Sequence, residues 1–316
     1  MNALVWRLHR NQAWTAAAAL AALTVVLVTT GIAMAGDYHG FLASCGATHS
    51  CADTSQLFRS YGVVNILVTA TMAVPLLFGM FWGAPLLAGE FEAGTHALAW
   101  TQGITRRRWL NRNLTWALLA AAAWGAAMTA LVSWWRGPEN ALGIGGIRLS
   151  AGVFDIQGIA PAAYSVFAVA LGIAAGSVFR RTLPALVTTL TVFAGLRFLI
   201  AEYARAHYMT PVSQLIALGA GAQANGGAPA GAWLLSTTLT GPDGQNYGTA
   251  VTSNQMPAVC RGLGPSCLAS HGFRTLITYQ PASRFWAFQG IETGIFITLA
   301  AVLIAVAYRM VLTRDA

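Results

Sequence analysis

Six long apolar runs divide the chain, at about 14–35, 61–88, 114–135, 159–179, 183–203 and 285–308. A helix rises 1.5 Å per residue, so about twenty apolar residues cross a hydrocarbon core of about 30 Å. The pattern predicts an all-α polytopic membrane protein with six transmembrane helices in a single domain, 1–316. The polar stretches between the runs differ in character. Met1 to Ala13, with Trp6, Arg7, Leu8, His9 and Arg10, suits a short amphipathic helix in the headgroup layer. Asp37 to Ser60 reads as a polar loop. Arg136 to Gly158 is a second polar loop, and Arg180-Arg181-Thr182 is a tight turn. Ala204 to Arg284 is long and rich in Gly, Pro, Ser, Thr, Asn and Gln, and forms a loop subdomain. Inside it Trp233 to Thr240 reads as a strand, followed by a Pro242-Asp243-Gly244 turn. A competing reading makes the first run a signal peptide cleaved after Ala33-Met34-Ala35, although the run is long for that role.

Composition agrees with the pattern. Of 316 residues 56% are hydrophobic and 9% charged, against about 25% charged in soluble domains. The net charge of +8 needs no nucleic acid, because membrane proteins collect basic residues on the cytoplasmic side. All 18 basic residues are Arg. Without Lys there is no Walker A motif, kinase lysine or Schiff-base lysine. If ATP drives this protein, another chain hydrolyses it with its Mg, and this chain holds no cofactor of its own.

The arginines also give an orientation. Arg7, Arg10, Arg106, Arg107, Arg108, Arg112, Arg180, Arg181, Arg309 and Arg314 crowd short segments on one side. Those on the other side, such as Arg59, Arg136, Arg148 and Arg205, are spread over longer loops. The bias places both termini inside and 204–284 outside, in a multi-pass protein of the plasma membrane. Cys45, Cys51, Cys260 and Cys267 then all fall outside, where disulfides persist. Three pairings are possible, and the local one, Cys45 with Cys51 and Cys260 with Cys267, is the simplest. A metal site would instead use His49 with Cys45 and Cys51, joined by His39 or His271.

Several polar groups lie within the runs. Pro75 kinks the second, above Gly79 and Gly83. Asn65, Thr69 and Met72 share one face of that helix, and Thr188, Thr189 and Thr191 put hydroxyls in the fifth. They serve either as glue between helices or as the lining of a path. Arg197 and Glu292 each lie about 10 Å below the outer surface. A lone charge at that depth is costly, so the two are expected to pair. Either the pair fixes two helices, or Glu292 is a substrate or proton site.

The segment Gly89 to Asn113 reads GEFEAGTHALAWTQGITRRRWLNRN and is the main cytoplasmic interruption. It reads as two short surface helices, with a stop at Gly103 and an N-cap at Thr105. An acidic pair, Gly-Thr, Thr-Gln-Gly and an Arg cluster between two spans resemble the cytoplasmic loop of ABC transporter permeases of the type 2 exporter family. The likeness is clearest over 84–109. TYQPASRFWAFQGIET, at 278–293, also looks like actinobacterial members at the entry to the last span.

The resemblance implies a coupling helix seated on an ABC ATPase subunit. Glu90, Glu92, Gly94 and Thr95 would lie at that contact, with Arg106, Arg107 and Arg108 anchoring the loop to ATPase or anionic lipid. It further implies pairing with a second permease, either a copy or a relative. The second and fifth spans would line the path, with Asn65, Thr69, Met72, Thr188 and Thr191 along it. The cargo by family habit is a drug, lipid or peptide, as in multidrug efflux. The outer loop is longer than the short re-entrant hairpin common in that family. Two other classes compete. One is an ion-gradient transporter using Glu292, although no internal repeat is evident. The other is a membrane enzyme with His207, His271, Asp243 and the cysteines outside, although no HExxH or nucleophile elbow occurs.

Overall fold

A computed structural model of the chain describes residues 2–48, 60–94, 105–142, 146–218, 227–248, 260 and 265–313. Six helices in it are long and apolar enough to cross a membrane: Ala17–Ala43, Gly62–Glu92, Arg106–Trp135, Ala160–Phe179, Thr182–His207 and Ala282–Thr313. They are called the first to sixth spans below. The chain divides into two compact units. One comprises residues 1–144, 155–198 and 289–316, the other residues 145–154 and 199–288.

The first unit is organised on the fourth span. Some 78% of its apolar window is buried, against 17–33% for the other five. Its apolar residues run all round the helix, as expected of one enclosed by others. Water drives nothing inside a bilayer, so helices there associate by close packing, and small residues permit it. The second and fourth spans meet through two small-residue pairs. A Cβ on Gly79 would lie 2.5 Å from the carbonyl oxygen of Ala168, and one on Gly83 would lie 2.7 Å from that of Val169. A Cβ on Gly172 would run into the backbone of Gly79 and Ala84, and one on Gly176 would lie 2.7 Å from Ala84 O. Backbone therefore rests on backbone. The third span joins them through Leu110, Leu114, Ala117 and Ala121, which pack with Leu86, Leu87, Val169 and Ile173. The first span lies against the third, where Trp135 Nε1 donates to Thr30 Oγ1 at 3.0 Å.

The second span is irregular where its prolines remove donors. Just before Pro75, where the sequence predicts a kink, the helix tightens into a 3₁₀ turn at Thr71–Ala73. A π turn follows at Gly79–Gly83, closed by Ala84 N–H to Gly79 O. Pro85 lacks the N–H that would bond the carbonyl of Phe81, which accounts for the wider turn.

Several boundaries differ from the sequence reading. The amphipathic start, the first span and the stretch to Thr48 form one helix, Asn2–Thr48, where a loop was expected from Asp37. This stretch has glycines but no proline, and Ala and Leu favour the helix. Glu90 and Glu92 belong to the last turn of the second span rather than to a loop. The Arg106–Arg112 cluster forms the first turns of the third span, Arg106–Trp135, rather than a separate short helix. Thr105 caps it as expected, accepting from Arg108 N–H at 3.4 Å. The loop before the fourth span contains two short helices, Gly137–Leu142 and Ala151–Phe154.

The second unit contains a three-stranded antiparallel sheet of order β1-β3-β2: β1 Val212–Ala217, β2 Trp233–Thr240 and β3 Arg274–Gln280. β2 has the span read from the sequence, and Gly244 closes its turn at φ +79° with N–H to Gly241 O at 3.0 Å. β1 and β3 were not foreseen, since the sequence reading named no other strand in this loop. Ala228, Ala232, Ile277 and Tyr279 form a small core there. Arg205 and Arg148 stack on Phe154 and Phe285.

The glycine contacts give a sharp expectation. Gly172→Ala and Gly83→Ala force backbone apart and should each cost about 1–3 kcal/mol. Gly195→Ala, with nothing within 4 Å of the added Cβ, should be neutral or stabilising. Tryptophan-monitored thermal unfolding in detergent checks this, and equal melting for Gly172→Ala and Gly195→Ala would refute it.

Candidate functional site

Three places hold most of the residues singled out in the sequence. The first is the end of the second span. Gly94, at φ +68°, takes the left-handed position that terminates the helix, with its N–H on Phe91 O at 3.3 Å. Glu92 turns back into the chain. Its Oε2 accepts from Thr182 N–H at 3.0 Å and Thr182 Oγ1 at 2.8 Å. A carboxylate there caps the first turn of the fifth span and favours its dipole. Beside it the Arg180 guanidinium lies 5.1 Å from the Phe91 ring centroid. Arg180 occupies the left-handed region at φ 54°, the one such non-glycine among the described residues. The end of the second span is thus fastened to the turn between the fourth and fifth. Glu90 lies in the same last turn. Thr95, with 96–104, is outside the described residues.

Arg106, Arg107 and Arg108 sit in the first turn of the third span, with Arg107 and Arg108 exposed. Cations are disfavoured at the positive end of a helix dipole. Local helix stability does not account for them, so their value lies in what they meet outside the helix.

The second place is the presumed path. Asn65 is engaged elsewhere. Its Nδ2 donates to Glu139 Oε1 at 2.8 Å, and its Oδ1 accepts from Arg136 Nη1 at 3.0 Å. Arg136 and Glu139 are also paired at 3.1 Å and are both buried. Burial pushes the Arg136 pKa down, and the Glu139 charge opposes that shift. Asn65 therefore ties the second span to the helix Gly137–Leu142. Thr69 and Thr191 are exposed and donate to their own helices, at Asn65 O (2.8 Å) and Val187 O (2.9 Å). Thr189 is buried and donates to Ala185 O at 2.7 Å. Met72 is exposed and Thr188 half-buried. No hydrogen bond among the described residues joins the set on the second span to the set on the fifth.

The third place is the intramembrane charge. Arg197 Nη1 lies 2.8 Å from Glu292 Oε1, which also accepts from Tyr164 OH at 2.7 Å. The structure adds Asp155, whose Oδ2 is bonded to Arg197 Nη2. The guanidinium carbon sits 3.7 Å from the Tyr164 ring centroid, and Phe296 lies edge-on to Tyr164 at 4.8 Å. Glu292 is fully buried. One cation thus links the stretch before the fourth span, the fifth span and the sixth. The sixth span makes a second attachment nearby. Gln289 Oε1 accepts from Ile159 N–H at 3.0 Å and Ala160 N–H at 2.7 Å, and its Nε2 donates to Gln157 O at 3.0 Å. These are the orphan donors of the fourth span. Sequence reading missed Asp155 and Gln289. Asp155 carried one signal: an acid just before a span in a chain with ten acids.

Outside the membrane reading, Cys260 and Cys267 form a disulfide, and His271 Nδ1 lies 3.5 Å and 3.8 Å from their sulfurs. Oxidised sulfurs are not thiolate ligands, so this trio is no metal centre as it stands. Cys51 and His49 are outside the described residues, as is the side chain of Cys45. His39 rests edge-on to Tyr38. His207 contacts Tyr203 O at 2.9 Å, and Asp243 closes its own turn through Gln245 N–H at 3.2 Å. Among the described residues His207, Asp243 and His271 share no hydrogen bond.

With the spans and their polar ties in place, comparison with known proteins decides the family. A family model described as ABC-2 membrane transporter related matches residues 17–205, more than half of the chain. The chain belongs to this family. No curated protein and no solved structure matches it. The match runs from the first span through the fifth and contains Glu92, Thr182, Asp155 and Arg197. The chain is thus an ABC-2 permease, a multi-pass membrane protein and a transport subunit of a family that works with an ATPase.

The charge cluster yields a test in this permease. Arg197→Gln removes the cation facing two buried acids and should cost about 3–5 kcal/mol. Adding Glu292→Gln should recover part of that loss. Fluorescence-detected size exclusion after graded heating reads both. An unchanged melting point in Arg197→Gln would show that the cluster contributes nothing to stability.

Proposed function

We propose that this ABC-2 permease exports a lipophilic or amphipathic solute, driven by ATP hydrolysed in a separate subunit that docks on the segment 95–104. The observation that carries this reading is the bond between Glu92 and Thr182. The segment 95–104 leaves the second span at Gly94 and enters the third at Thr105. Any movement imposed on it reaches the second span directly. Through Glu92 it also reaches the first turn of the fifth. The second span has soft points to absorb such movement, at Thr71–Ala73, Pro75 and Gly79–Gly83. The fourth span, mostly buried, is the frame against which they flex. ATP closes the partner, the docking segment follows, and the spans rock between inward- and outward-open states. Arg106, Arg107 and Arg108 hold the segment against the ATPase or anionic lipid. A second permease, either a copy or a relative, completes the path.

This role differs from a direct ATPase contact for Glu92, which is occupied within the chain. Glu90 and Thr95 keep the docking role. The ion-gradient alternative finds little support, because Glu292 is buried between Arg197 and Tyr164. The cluster fits a fastening of three segments better than a carrier.

Purification in mild detergent from the native host tests the reading. A stoichiometric soluble chain with a Walker A motif is expected. Glu90→Ala with Thr95→Ala should release it, whereas Glu92→Ala should keep it bound yet reduce export about tenfold or more, which corresponds to about 1.4 kcal/mol of lost coupling. Recovery of the permease alone, with no ATPase captured by crosslinking, would overturn the proposal.

A further inference from the structure

Arg148 belongs to the second unit, in the segment before the short helix Ala151–Phe154. Its guanidinium carbon sits 3.9 Å from the ring centroid of Phe285. Its Nε is buried and has no hydrogen-bond partner among the described residues. No ion pair involves it there either. Burial alone pushes its pKa down, and no acid opposes the shift, in contrast to Arg136 beside Glu139. A guanidinium has five N–H donors in a planar fork, and a ring face satisfies none of them directly.

The surroundings say what would. The unit's acids are Glu202 and Asp243, against Arg148, Arg205, Arg261, Arg274 and Arg284. An anion is therefore better supplied from outside the unit than from within it. Phe285 is buried and packs edge-on with Trp286, at 5.3 Å between centroids. Trp286 is 60% exposed, at the start of the sixth span. Exposed Trp at the end of a span marks the membrane–water boundary, where lipid phosphates lie. A free phosphate ion would gain nothing from the exposed indole, whereas an amphiphile would use both parts.

We propose that Arg148, stacked on Phe285 beside Trp286, binds the phosphate group of an anionic phospholipid. The planar fork of Arg matches two phosphate oxygens, and the indole covers the adjoining apolar part of the lipid. The site rests on the reading of Ala282–Thr313 as a span, and is independent of any ATPase or cargo.

The test uses the full chain in phosphatidylcholine nanodiscs doped with phosphatidylglycerol, then native mass spectrometry of retained lipid. Wild type and Arg274→Gln, an exposed arginine of the same unit, should retain phosphatidylglycerol. Arg148→Gln should retain about tenfold less, and Arg148→Lys an intermediate amount, since it keeps charge and loses the fork. If Arg148→Gln does not fold, Arg148→Met takes its place, because a thioether still stacks on Phe285. Equal retention by wild type and the neutral variant would overturn the site. Displacement of the lipid by millimolar inorganic phosphate would overturn the lipid assignment in favour of a free phosphate.

Discussion

The contact of the second span with the fourth governs this permease. In hydrocarbon, apolar side chains gain nothing by leaving lipid, so two helices hold together only where their surfaces match closely. Gly79, Gly83, Gly172 and Gly176 let the backbones touch, and dispersion over that contact replaces the missing hydrophobic drive. Enclosure of the fourth span follows from this. So does the position of the third, which packs on both through Leu110, Leu114 and Ala117. The π turn lies within the same contact. The second span is therefore held most tightly where its own helical bonding is most irregular. That combination suits a helix that pivots on a fixed neighbour.

Polar ties then fix the ends of the spans, where close packing gives way. At one end Glu92 caps the fifth span, and Arg180 covers Phe91. At the other, Asn65 joins Arg136 and Glu139, Gln289 satisfies the first donors of the fourth span, and Arg197 gathers Asp155 and Glu292. Each tie joins segments distant in the chain, and most use a group whose burial would be costly alone. The hydroxyls of Thr69, Thr189 and Thr191 contrast with these. They bond to their own helices and, among the described residues, join no neighbouring helix. Thr69 and Thr191 are exposed, whereas Asn65 is engaged by Arg136 and Glu139 and Thr189 is buried.

The second unit is built on other principles. Among its described residues three strands form an antiparallel sheet, and a disulfide joins Cys260 to Cys267. Two of its arginines stack on aromatic faces, and a ring face accepts charge without supplying a hydrogen-bond acceptor. Arg148 Nε has no hydrogen-bond partner among the described residues, and the proposed lipid contact rests on that and on the exposed Trp286 beside Phe285.

The sequence by itself determined the six spans, because about twenty apolar residues in helix are a matter of length and bilayer thickness. It also carried the break in regular helix near Pro75, the N-cap at Thr105 and the strand Trp233–Thr240, each a local consequence of backbone chemistry. The resemblance seen in 84–109 pointed to the same family as the match over 17–205. Only the tertiary structure decided what the polar residues do. Nothing in the spacing of Glu92 and Thr182 announces a contact across ninety residues, because a hydrogen bond depends on position in space and not on chain distance. Asp155 was hidden for the same reason, and the choice for Asn65 between glue and path lining stayed open in the sequence because helical spacing shows which face a residue occupies, but not which neighbour covers that face. The loop boundaries at Thr48, Glu92 and Arg106 moved because a helix continues past the apolar core until a breaker or cap stops it, whereas hydropathy marks only where the hydrocarbon ends.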